Sequence, residues 1–245
     1  MLRTTTLVLA LTGALIAGGC ADTEEIDSKP AAAVEKPAEA PKAPAETTQA
    51  GDKAAAPEAE ATAVKDPADI KSPEGQRWTA DTTKSSIGFL GAKVTNTHKG
   101  GFTGFSGQAV SNEAGQVTFV RFVVQTSTLW ADKQNPEEGT GPYKLTGHLK
   151  SPDFFDVDTF PTADFATTKI EHGEGGAAKV TGNLKFHGVT NTISFPATFA
   201  AEGEAVKAKA EFKINRKDWG LTYPGKPDDL IKDEVALTLD FTFVK

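Results

Sequence analysis

The chain has 245 residues, a net charge of −7 and a single cysteine, and all its aromatic residues lie between Trp78 and Phe243. Residues 21–76 hold 16 Ala, 7 Pro, 13 acidic residues and 6 Lys, and their only larger aliphatics are Ile26, Val34, Val64 and Ile70. That is too little apolar surface to offset chain entropy, and the 19 basic and 20 acidic side chains of residues 77–245 form no basic stripe, which argues against nucleic-acid binding.

Met1 to Cys20 reads as a secretory signal. Arg3 precedes an apolar run from Leu7 to Ile16, followed by Ala17, Gly18 and Gly19. The run is too short for a bilayer span of ~20 helical residues and suits the core of a signal peptide. The lone Cys20 has no internal disulfide partner. Small residues ahead of it resemble the lipobox of bacterial lipoproteins, with Ala17 where Leu is usual. The resemblance implies an acylated, membrane-anchored protein on the periplasmic side; simple cleavage nearby is the alternative. Residues 21–76 then form a disordered linker, extending at most ~3.1 Å per residue.

Residues 77–245 make one domain, a size that suits a single core. Period-two alternation dominates it. Val235, Leu237, Leu239, Phe241 and Phe243 share one face of the last segment, while Thr238, Asp240 and Thr242 share the other. About eight strands are expected, near 85–94, 101–111, 117–126, 162–172, 178–186, 190–201, 205–215 and 233–244. Turn signals separate them, such as His187-Gly188 and Glu202-Gly203-Glu204. The fold class is all-β, either a closed antiparallel meander barrel or a sandwich, and closure is favoured because it leaves no unpaired edge. The stretch from Leu129 to Pro161 breaks the pattern. Leu145 and Leu149 there fit one face of a short helix, with Phe154 and Phe155 following, and this segment is expected to cover one barrel mouth.

Four motifs then stand in order: Gly100, Phe102, Phe105 and Gly107; His148-Leu149 through Asp153-Phe154-Phe155-Asp156 to Phe160-Pro161, Ala163 and Phe165; Val180, Gly182, Leu184, Phe186 and Gly188-Val189-Thr190; and Arg216 with Asp218-Trp219-Gly220. In that order and spacing the domain resembles the YceI-like family of bacterial periplasmic proteins that bind polyisoprenoid lipids. The resemblance implies an eight-stranded lipocalin-like barrel around a long apolar tunnel. It implies as lining Phe89, Phe105, Phe122, Leu184, Phe195, Phe212, Leu237 and Leu239, with Leu145, Leu149, Phe154 and Phe155 near the entrance. Alternation alone leaves a filled core equally open.

His148 either bonds locally or meets a lipid headgroup. Arg216 either closes a bulge through an ion pair, with Trp219 plugging the barrel end, or meets a headgroup phosphate or quinone oxygen. Gly101, Gly104 and Gly107 lack the spacing of a phosphate loop, and Asp153, Asp156 and Asp158 lack the central Gly of a calcium loop. No metal site is expected from the four dispersed histidines. Without a Gly-x-Ser-x-Gly elbow or a cysteine nucleophile in the domain, no enzyme is expected. The expected function is binding, with transport as its extension, of an isoprenoid lipid such as a polyprenyl chain or quinone tail, with no cofactor. The rivals are a protein-interaction module with a filled barrel and a tunnel enzyme.

Overall fold

The computed structural model describes residues 21–35 and 64–245. Helix α1 (Ala21–Ser28) and the short β1 (Ala33–Glu35) come first. The alternating segments then form β2 (Gln76–Ala80), β3 (Ser86–Lys93), β4 (Asn96–Phe102), β5 (Phe105–Ser111), β6 (Val117–Gln125) and β7 (Leu129–Ala131). Helix α2 (Gly141–Lys150) precedes β8 (Thr162–His172), β9 (Ala177–Phe186), β10 (Val189–Glu202) and β11 (Ala205–Asn215). A small hairpin, β12 (Gly225–Lys226) and β13 (Asp229–Leu230), leads to β14 (Glu234–Val244).

The pairs β2/β3, β4/β5 and β6/β7 each act as one long stave interrupted by a few residues. Every stave pairs antiparallel with the next in sequence, and β14 closes the ring on β2 and β3. The result is a closed eight-stranded antiparallel barrel, one of the two architectures the alternation left open and the one the resemblance implied. The early residues of β2, Gln76 and Arg77, are polar and escaped the hydrophobic pattern.

Bulges tune the wall. In β8 the register slips between Thr167 and Lys169. The Thr167 hydroxyl turns inward and accepts the Val120 amide at 3.0 Å, so no ladder donor is left unpaired. One end of the barrel carries tight hairpins, including 111–117, 172–177 and 202–205. The other carries the two long connections, 132–161 and 216–233, and the β3–β4 and β9–β10 turns.

The linker expected over residues 21–76 is corrected at both its ends; residues 36–63, like Cys20, lie outside the described residues. Ile26 on α1 is fully buried against Leu90, Ala92 and Ala236 on the outer wall. Ile70 packs on Val110, Phe119 and Ala166, another outer patch. The Asp66 carboxylate and the Lys65 carbonyl hold the same segment to Lys185 and Asn183. Composition averaged over many residues conceals these anchors, because one aliphatic per segment suffices when a barrel wall offers it a ready apolar patch.

The third anchor is Val34. Strand β10 pairs with β11 only from Thr198–Glu202 to Ala205–Lys209. Farther toward the long-loop end the two strands part, and β1 pairs antiparallel with Thr192–Ser194 of β10. The Ala32 amide donates to the Lys213 carbonyl at 2.8 Å, and the Lys213 amide to the Pro30 carbonyl at 2.9 Å. The wall therefore holds an extra, inserted strand there, with Ala32 and Val34 packed on the core.

Ion pairs clamp α1 and the residues after it. Lys232 holds the Asp27 carboxyl below the ordinary carboxylate range, and Glu211 raises the Lys29 ammonium. A carboxylate with a depressed folded pKa stabilises above its unfolded value of ~3.9 and loses that contribution as pH falls through the folded pKa. The Lys29 contribution is present below the ordinary lysine pKa of ~10.4 and fades as pH rises through the raised value. Limited proteolysis is thus expected to reach residues 21–35 more readily below about pH 4, with the barrel still folded. Cleavage that stays constant from neutral pH to that range would contradict the clamp.

Candidate functional site

The inner face of the wall is apolar on every stave, and phenylalanine rings fill it. Phe212 stacks on Phe195 at 4.1 Å between centroids, Phe195 meets Phe165 at 5.7 Å, and Phe165 stacks on Phe122 at 5.0 Å. Phe122 continues to Phe241 at 5.6 Å, against which Phe105 stands edge-on and Phe243 stacks. Two motif glycines make room for such rings. A Cβ on Gly182 would lie 2.5 Å from Phe165, and one on Gly100 would lie 2.2 Å from Phe89. Each ring lies across the neighbouring stave at a position only glycine leaves free.

Among the rings lies a cavity of about 30 Å³, bordered by Phe122, Phe165, Phe195, Ala208, Ala210, Leu239 and Phe241. That is space on the order of one or two waters. The cavity is far smaller than the tunnel the resemblance implies, because an eight-stranded barrel is only just wide enough for side chains and the rings take up most of its lumen here. Lys209 also borders the cavity, while its ammonium pairs with Asp240 at 2.8 Å and its side chain is largely exposed.

The expected lining residues divide into groups. Phe122, Phe195 and Leu239 border the cavity. Phe105 and Phe212 touch rings that border it, and Leu184 and Leu237 pack half-buried against the same core. Phe89 lies toward the long-loop end, its ring 6.2 Å from Phe102. Phe155 reaches in from the connection after α2 and packs between Phe102 at 5.8 Å and Phe186 at 5.0 Å, where it helps stopper that end. Phe154 packs between the two long connections at the long-loop end, on His148 and Tyr223. Leu145 and Leu149 are half-buried on α2, which lies against β7. The alternation also marks Phe165, Val180, Ala197, Ala208, Ala210 and Phe241, which border the cavity and were not singled out. Period two gives the face but not the level along the barrel axis.

His148 is exposed and bonds Asp153 at 3.0 Å while standing edge-on to Phe154 and Tyr223. It holds the connection to itself. Arg216 is 4% exposed, and the headgroup role considered for it is corrected. Its guanidinium donates to the carbonyls of Leu221, Lys232 (3.2 Å) and Ile231 (3.5 Å) and pairs with Asp233 at 3.3 Å. Burial lowers its pKa and Asp233 opposes that. The bonds tie the connection before β14 onto the turn Arg216–Trp219, whose Trp219 is fully buried and donates its indole N–H to the Leu184 carbonyl at 3.2 Å. Trp219 and Phe155 therefore close the long-loop end. Among the described residues, no cluster of His, Cys, Asp or Glu is arranged to hold a metal.

Replacing Arg216 with Met strands several buried carbonyls, each worth ~1–3 kcal/mol when unsatisfied. Denaturant unfolding should show a loss of at least about 2 kcal/mol for the variant. A variant as stable as the parent would mean those carbonyls find other donors.

The model of the YceI-like domain matches residues 78–243. A UPF0312 protein of Pseudomonas fluorescens is 30% identical over 170 residues, covering 67% of this chain and 81% of that protein. A UPF0312 protein of Pseudomonas syringae is 30% identical over 176 residues, covering 69% and 81%. Among solved structures, Burkholderia cenocepacia BcnA superposes with a TM-score of 0.58 at 22% identity, covering 66% of this chain and 98% of that one. A domain from Saccharophagus degradans, described as polyisoprenoid binding, gives 0.53 at 16% identity, covering 68% and 97%. The ring-filled barrel, with its motif glycines beneath Phe89 and Phe165, belongs to the YceI-like family.

Proposed function

We propose that this barrel binds one long apolar chain, an isoprenoid lipid such as a polyprenyl chain or quinone tail, by exchanging its phenylalanine filling for the ligand. The observation that carries this reading is the apolar lining of the cavity, in which rings on single bonds face small residues. Phenylalanine rings turn about two side-chain torsions, whereas an interior keyed by polar pairs could not rearrange without stranding donors. The fold likeness to a domain described as polyisoprenoid binding supports the choice of ligand class.

Energetics favour exchange over storage. Burying apolar surface from water contributes about 25 cal/mol per Å². A bilayer already shields an isoprenoid chain, so that contribution nearly cancels and the lipid can pass between membrane and barrel. The proposal includes export, acylation at Cys20 and a place at the membrane on the periplasmic side. Helix α1 begins one residue after Cys20, and its eight residues span ~12 Å before the chain joins the barrel wall. An acyl anchor at Cys20 would thus hold the barrel close against a bilayer. Among the described residues the exposed large apolar side chains are Val94, Tyr143 and Leu230, and all three belong to the long-loop end.

A second reading is favoured by the small size of the cavity: the barrel stays solid and serves as an interaction module. Uptake of a labelled polyprenol from phosphatidylcholine vesicles separates the two, together with organic extraction and mass spectrometry of natively purified protein. Uptake is expected for the parent. Ala208→Phe, which places a ring in the cavity, should abolish uptake while costing no more than ~1–3 kcal/mol of stability. A parent protein that neither carries nor takes up lipid would establish the solid barrel. Cys20→Ser should move the protein from the membrane to the soluble fraction; continued sedimentation with membranes would remove the acyl anchor from the proposal.

A further inference from the structure

The parted strands β10 and β11 give the barrel wall a weak point, and it lies beside the cavity. Phe195 and Ala197 of β10, and Ala208 and Ala210 of β11, border the cavity at the level where the two strands separate. Above that level neither strand pairs with the other. The inserted segment satisfies both, through Ala33–Glu35 on β10 and the two bonds between Pro30, Ala32 and Lys213 on β11. It runs antiparallel to β10 but forms a parallel bridge to β11, the arrangement of a third strand placed between two antiparallel neighbours.

The insert is lightly held compared with the staves around it. It offers three ladder positions where β9 and β10 share ten, and its inward side chains are one alanine and one valine, both half-buried. Residues before it are anchored separately by Ile26 and by the ion pairs of Asp27 and Lys29. The insert can therefore leave the wall while α1 stays docked. The other routes inward are stoppered. Trp219 and Phe155 block the long-loop end, and Trp78, with its indole N–H on the Ser111 hydroxyl at 3.0 Å, lies at the opposite end.

We infer that Pro30–Glu35 is a removable stave, and that its withdrawal opens a side entrance through which an extended apolar chain reaches the barrel interior. Neighbouring strands lie ~4.8 Å apart, so taking one out of the wall leaves its neighbours separated by ~9–10 Å, a slot that admits a linear hydrocarbon lengthwise. Side access suits a lipid leaving a membrane, because the chain slides in along its length instead of threading end-first past Trp219. The inference rests on the binding reading above.

A disulfide between register partners provides the test. Ala33 faces Ser194 on the outer side of the wall, so Ala33→Cys with Ser194→Cys, in the full chain, locks the insert without touching the interior. The oxidised form is expected to take up a dansyl-labelled polyprenol from phosphatidylcholine vesicles about tenfold or more slowly than the same protein after reduction. Equal rates in the two forms would overturn the side entrance and leave lipid binding standing. No uptake by either form, or by the parent, would overturn the binding reading and the entrance with it. Hydrogen exchange on the parent needs no ligand. The Ala32 and Lys213 amides should exchange well before the β11 amides paired with β14, and equal protection would likewise overturn the inference.

Discussion

Filling the inside of a narrow barrel is the constraint on which this structure depends. Eight strands enclose a space that side chains can just occupy, and here phenylalanine rings occupy it by lying over the bare backbone of Gly100 and Gly182 and the short side chains of Ala197, Ala208 and Ala210. Large lies over small on neighbouring staves, and the rings touch one another in a continuous run from Phe212 to Phe243. That run accounts for the small size of the cavity. It also accounts for the glycines of the family motifs, which in the two cases described are spaces kept clear for rings.

Buried polar groups each have a defined task. Thr167 takes up the amide freed by a bulge, and Arg216 gathers three carbonyls and Asp233 to fasten the long connection ahead of β14. Trp219 is thereby seated as a stopper with its indole nitrogen satisfied. Four of the five guanidinium N–H groups are thus committed to fastening the fold. The cavity itself is bordered almost entirely by hydrocarbon side chains.

The segments outside the barrel work by a different rule. Each of Ile26, Val34 and Ile70 drops a single aliphatic side chain onto or into the wall, and ion pairs or backbone bonds secure the flanks. A chain rich in Ala, Pro and Glu has little cohesion of its own, so these segments take their shape from the surface that receives them. The wall in turn uses Ala32 and Val34 to complete a ladder that β10 and β11 do not complete themselves.

Alternation determined much by itself: the all-β class, the strands from 85–94 onward, their order around the ring and which residues face inward. Those are local properties, written every second residue. The motif order also identified the family, and with it the lipocalin-like closure. Tertiary structure alone decided how far across the lumen each ring reaches, and hence that Phe122 and Phe195 border a cavity of about 30 Å³ while Phe154 packs on Tyr223 at the long-loop end. It alone turned Arg216 inward and called Val34 into the wall. Those outcomes depend on distances between residues far apart in the chain, and periodicity carries no information about such distances.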